Sequence, residues 1–228
     1  MLWNNRRFQP PSEDAEPVRN TPGAKLWYLL TTHVPRLLWA NLLCTLFCIP
    51  IVTIPASLCA LHAVVLQYYR IGYGSSVFQI FWKEFKSAFV QKTLLSLLLL
   101  ALPVGGWFLG SLIAVWASYA LAGILVVLAL CTLAWFYPQL AILQLQPVVA
   151  LRNALLLTAI ESWRNLLLLL IELVAVAVIV ILWPLSLLFL LIFLPVLPVV
   201  LMTAVTMPVL EQRLIEQELP SENTKTDE

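Results

Sequence analysis

From Leu94 to Leu151 the chain carries no charged residue, and a run of that length without charge belongs in lipid rather than water. Between Leu37 and Leu210 the charges that do occur gather in Arg70–Lys92 and Arg152–Arg164, with Glu172 standing apart. In hydrocarbon an unpaired N–H or C=O is costly, so such segments cross as helices that satisfy their own backbone. With 61% hydrophobic residues, 11% charged residues and a mean hydropathy of +0.93, a water-soluble core is excluded. The expected fold is an all-α, polytopic helical membrane bundle with five to six membrane segments and cytoplasmic amphipathic helices.

Proline and charge set the expected divisions. Residues 1–24 read as a disordered cytoplasmic tail, because Pro10, Pro11, Pro17 and Pro22 sit among polar and acidic neighbours. They do not read as a targeting segment, since no apolar run adjoins Arg6 and Arg7. Residues 25–210 form the membrane domain, and 211–228 a polar, acidic cytoplasmic tail. Leu26–Ile49 reads as the first helix, ended by Pro50, which has no N–H to donate. Thr53 and Pro55 suit a turn opening a second helix, Ala56–Tyr69. Val77–Lys92 reads as an interfacial helix: Phe78, Phe81, Trp82, Phe85, Ala88 and Phe89 make one stripe, with Gln79, Lys83 and Lys86 opposite.

Leu94–Trp116 and Leu121–Ala141 are each long enough to cross a core of about 30 Å at about 1.5 Å per residue, and form a hairpin turning at Ala117–Ala120. On the first of them Gly106, Gly110 and Ala114 form a strip of small residues, open either to packing within the chain or to a homo-oligomer contact. Gln139 is expected at the wet end of the second. A cytoplasmic segment follows at Val148–Asn165, then spans Leu166–Trp183 and Leu185–Leu210 around Pro184.

Cationic side chains orient the whole. If Leu37–Tyr69 were one span, the chain would cross five times and leave its basic tail opposite Arg70–Lys92, against the positive-inside tendency. If Pro50–Pro55 is an outward turn, six segments place both termini and both charged stretches in the cytoplasm, and every external turn lacks Lys and Arg. Two units of similar plan then follow each other, each an inward helix, an amphipathic stretch and an outward helix.

Few residues invite chemistry. Glu172, about 9 Å inside the cytoplasmic boundary of its span, must be protonated, paired or facing water; a polar helix contact and a proton or substrate role both stay open. His62, on the short second segment, is a candidate partner for Glu172 or for a buried carbonyl. Asn41, Thr45 and Thr53 can satisfy backbone groups freed by Pro50 and Pro55. Lys83, Lys86 and Lys92 suit anionic lipid headgroups or an acidic partner. Cys44, Cys48, Cys59 and Cys131 lie in apolar runs without zinc spacing. No nucleophile, base and orienting group recur at a known spacing, so neither an enzyme, a cofactor, a metal site nor a nucleic-acid interface is expected.

The run Asn41-Leu42-Leu43, then Ile49-Pro50-Ile51-Val52-Thr53-Ile54-Pro55-Ala56 and Ala60-Leu61, resembles the N-terminal signature of the YesL-like family of bacterial integral membrane proteins, a domain of unknown function. Phe81-Trp82-Lys83-Glu84-Phe85-Lys86-Ser87-Ala88-Phe89 is similar to that family's aromatic and basic stretch. Together these cover about a quarter of the chain. Where many members have Thr-Ile-Gly-Pro, this chain has Thr53-Ile54-Pro55, so a break is expected there without the glycine turn. The resemblance implies a bacterial cytoplasmic-membrane protein, often encoded near carbohydrate uptake and degradation functions, and supplies no catalytic residues. It leads to the expectation of an accessory or regulatory component of carbohydrate uptake, with an ABC transporter or other membrane protein as partner. A small oligomeric or proton-coupled transporter and an anionic-lipid-binding scaffold are the alternatives.

Overall fold

Helix ends in this chain are set by proline and by side chains that catch the backbone groups a helix end leaves free. The computed structural model describes residues 21–71, 76–143, 146–181 and 195–212. Every regular element among them is helical. The tails up to residue 20 and from 213, and the turn expected at Pro184, lie outside the described residues.

The first helix is two pieces, α1 (Pro22–Thr32) and α2 (Val34–Phe47). Pro35, in the first turn of α2, cannot donate, and the chain kinks at His33. After α2, Pro50 is extended and a short 3₁₀ turn, Ile51–Thr53, leads into α3 (Ile54–Ile71). The Thr53 hydroxyl lies within reach of the Pro50 carbonyl at 2.6 Å, which also accepts the Thr53 N–H at 2.9 Å, and of the Phe47 carbonyl at the end of α2. At the far end of the same pair the His33 ring sits 5.2 Å from that of Tyr68. α2 and α3 are therefore an antiparallel hairpin and not one continuous span.

The expected interfacial helix Val77–Lys92 is two elements. α4 (Val77–Lys86) ends at a corner, and α5 (Phe89–Ser111) begins beyond it. At the corner Ala88 has φ 46°, ψ 36°, the left-handed region that costs an L-residue about 1–2 kcal/mol. Most of the apolar face of α4 packs within the bundle, while Phe78 of the same stripe is exposed. Phe81, Trp82 and Phe85 surround Phe47 at the end of α2, with ring centroids 5.0 to 5.7 Å apart. Since α4 starts just after the end of α3 and finishes beside its first turns, it runs back along α3.

α5 and α6 (Val115–Leu143) form the next hairpin, turning at Leu112–Ala114 rather than at Ala117–Ala120. The turn closes when the Ile113 and Ala114 N–H groups donate to the Gly110 carbonyl at 3.0 and 3.1 Å. The small-residue strip thus ends at Gly110, and Ala114 belongs to the turn. Gly106 and Gly110 face α6: a Cβ on Gly110 would collide with the backbone of Ser118 and Ala117, and one on Gly106 would meet Leu125 Cδ1 at 2.5 Å. The strip packs within the chain.

α7 (Pro147–Ile160) and α8 (Ser162–Ile181) meet at 103° across Glu161. α9 (Val196–Leu210) starts where the Val196 N–H donates to Asn41 Oδ1 of α2, 3.0 Å away, so a side chain far off in sequence caps it. Among the described residues three helices are long and apolar enough to cross a membrane: Ile51–Arg70, Phe89–Ser111 and Val115–Ile142. The bent α7–α8 pair makes four if counted as one span, and α2 and α9 are shorter apolar helices.

Gly105 has open space where Gly110 has backbone, which yields a controlled pair. Gly110→Val is expected to lower stability in detergent by about 1–3 kcal/mol through overpacking. Gly105→Ala is expected to be neutral or stabilising by up to about 1 kcal/mol. Thermal unfolding of the two variants checks the contrast.

Candidate functional site

Interior polar side chains collect where α3, α4, α5 and α6 meet. Lys92, one turn into α5, is 1% exposed, and Glu84, in the last turn of α4, is 3% exposed. Lys92 Nζ donates to Glu84 Oε1 at 3.0 Å and to the Glu84 backbone carbonyl at 2.6 Å. The Cys59 thiol of α3 completes the group, 3.7 Å from Glu84 Oε1 and 3.8 Å from Lys92 Nζ. One cation thus neutralises a buried carboxylate and caps the C-terminal end of α4, where helix carbonyls lack donors and carry partial negative charge.

A matching arrangement holds the second corner. Asn165, one turn into α8, donates from Nδ2 to the Thr158 carbonyl in the last turn of α7 and accepts from Trp135 Nε1 of α6 at 2.8 Å. In both units a side chain one turn past the corner reaches back to the preceding short helix and also touches the long helix before it: Lys92 to α4 and α3, Asn165 to α7 and α6. The backbone bonds correspond too, since Lys92 N–H donates to Ala88 and Asn165 N–H to Glu161, each at 3.0 Å.

Beside the first corner, Tyr137 of α6 donates its hydroxyl to Ser96 Oγ of α5 at 3.4 Å. Its ring lies 5.7 Å from that of His62 on α3. His62 is 3% exposed and its Nδ1 is 2.9 Å from the Leu58 carbonyl. That carbonyl is one of the two partners expected for His62. Glu172, the other, is on α8, and since neither its Oε2 nor His62 Nε2 has a hydrogen-bond partner, the two are not paired. Glu172 Oε2 is buried without a hydrogen-bond partner.

The three lysines expected at a headgroup or partner surface divide. Lys83 and Lys86 are exposed, with Lys86 Nζ 4.4 Å above the Trp82 ring, a cation–π contact. Lys92 is a correction: it is enclosed in the bundle, because the break at Ser87–Ala88 puts it on α5 facing α3. Gln139, expected at a wet helix end, is fully buried. Glu84 and Asn165 were missed as site residues. The signal available for Glu84 was an opposite charge eight positions before Lys92, the one carboxylate side chain in the stretch Arg70–Lys92. Among the described residues no three His, Cys, Asp or Glu side chains are grouped to hold a metal ion.

Lys92→Met strips the enclosed Glu84 carboxylate of its lysine, and a loss of about 3–5 kcal/mol of stability is expected. Glu84→Gln added to it restores much of that loss; the residue-84 carbonyl keeps the Ser87 N–H, 3.2 Å away, and loses only the Lys92 donor. A double-mutant cycle by thermal unfolding reads both numbers.

Residues 26–135 match the model of a family described as "Protein of unknown function, DUF624". The matched segment holds Cys59, His62, Glu84, Lys92, Ser96 and Trp135, and stops two residues before Tyr137. No curated protein and no solved structure matches the chain.

Proposed function

We propose that the chain is a multi-pass protein of the bacterial cytoplasmic membrane that assists or regulates a carbohydrate uptake system, such as an ABC transporter, and does not itself move the solute. The observation that carries the accessory role is the use made of the interior polar groups. Lys92, Glu84 and Asn165 are committed to helix ends and to each other's elements, which leaves them fixing the bundle in place of lining a path. The link to carbohydrate uptake rests on the YesL-like resemblance, and the match over residues 26–135 covers every motif that carries it.

Six membrane segments with both ends cytoplasmic is the arrangement we favour. In its support, Tyr69 donates to the Pro22 carbonyl at 3.4 Å and Arg70 pairs with Glu211 at 3.6 Å. The start of α1, the end of α3 and the end of α9 thereby converge on one end of the bundle, together with Lys25, as expected of a cation-rich cytoplasmic face.

Deleting the gene is expected to lower uptake of at least one sugar, and gentle detergent extraction to recover the protein with uptake components. Unchanged uptake together with recovery of the protein alone would contradict the proposal. Glu172 favours a second reading, a small oligomeric or proton-coupled transporter, because its Oε2 is enclosed and unpartnered. That reading expects flux in reconstituted liposomes that falls on Glu172→Gln. Exposed Lys83 and Lys86 support a third, an anionic-lipid-binding scaffold.

A further inference from the structure

We propose that a water molecule is bound between α3, α5 and α6, donating a hydrogen bond to His62 Nε2 and accepting one from the Thr93 hydroxyl. The polarity follows from His62 itself. A carbonyl oxygen only accepts, so the 2.9 Å contact with Leu58 puts the ring proton on Nδ1. In the neutral imidazole Nε2 is then an acceptor, and it is buried with no protein partner. The hydroxyl of Thr93 is in the same position, 5% exposed and without a partner.

These two groups lie to either side of one contact between α5 and α6. Thr93 and Ser96 are three residues apart and so share a face of α5. Ser96 meets the Tyr137 hydroxyl, and the Tyr137 ring meets His62. A buried polar atom left bare costs about 1–3 kcal/mol, and apolar side chains nearby offer no substitute. A ligand that can both donate and accept, and that is small enough for a helix interface, satisfies both atoms; water is the molecule of that chemistry, and buried waters characteristically bridge such groups. The site does not depend on the proposed role in uptake.

The test is nitrogen-15 magnetic resonance of the full chain in lipid or detergent, with histidine labelled. The chain has two histidines, so a His33→Gln variant assigns the spectrum. The expected result is a His62 ring protonated at Nδ1, with Nε2 at the shift of a hydrogen-bonded acceptor and a cross-peak to water protons. Thr93→Val keeps the side-chain volume and removes the hydroxyl, and is expected to weaken that cross-peak at least twofold. A bare Nε2, an Nε2 that carries a proton, or a hydrogen-bonded Nε2 with no water cross-peak would each overturn the proposal. So would a cross-peak that Thr93→Val leaves at full strength.

Discussion

A helix that ends inside an apolar medium leaves carbonyl and N–H groups that water cannot reach, and the arrangement of this chain depends on how they are satisfied. At Ser87–Ala88 the turn between α4 and α5 forces a left-handed alanine, and Lys92 reaches back to the Glu84 carbonyl. At Glu161 the turn between α7 and α8 is closed by Asn165 on the Thr158 carbonyl. The start of α9 is closed by Asn41, and the Pro50 turn by Thr53. Each short polar side chain allows a sharp change of direction that the medium would otherwise forbid.

The charged pair has a second consequence. Bringing a lysine and a glutamate into the interior costs several kcal/mol per ion, which their mutual attraction offsets only when the geometry is close. Here Nζ serves both the carboxylate and the carbonyl, so α4 and α5 have one preferred relation, with Cys59 of α3 against the pair. The aromatic residues of α4 reinforce it by closing around Phe47. Most of the apolar stripe of this amphipathic segment is thereby turned inward as packing, while Phe78, Lys83 and Lys86 are exposed.

Much of this was legible in the chain itself. Charge-free stretches and prolines indicated helices, a break at Pro50–Pro55 and a tight hairpin near residue 115, because apolar length and the missing proline N–H act locally. The hairpin turn was misplaced by about five residues, since the small residues Gly110 and Ala114 look alike in sequence; only contact with Ser118 separates a packing glycine from a turn residue. The role of Lys92 was not legible. A lysine near a helix start reads as a headgroup contact until a left-handed residue four positions earlier rotates it inward.

His62 and Glu172 show the same division. Each was recognisable as a polar residue out of place in lipid, because that depends only on its apolar neighbours in sequence. That His62 meets Tyr137 of α6 and is not paired with Glu172 depends on how α3, α6 and α8 dock. By itself the sequence determined the medium, the helical class and the positions of the principal breaks, through hydrophobicity and backbone chemistry acting over a few residues. The tertiary structure alone decided which polar groups meet, because helix rotation and corner geometry, set by packing between distant segments, choose the direction in which each side chain points.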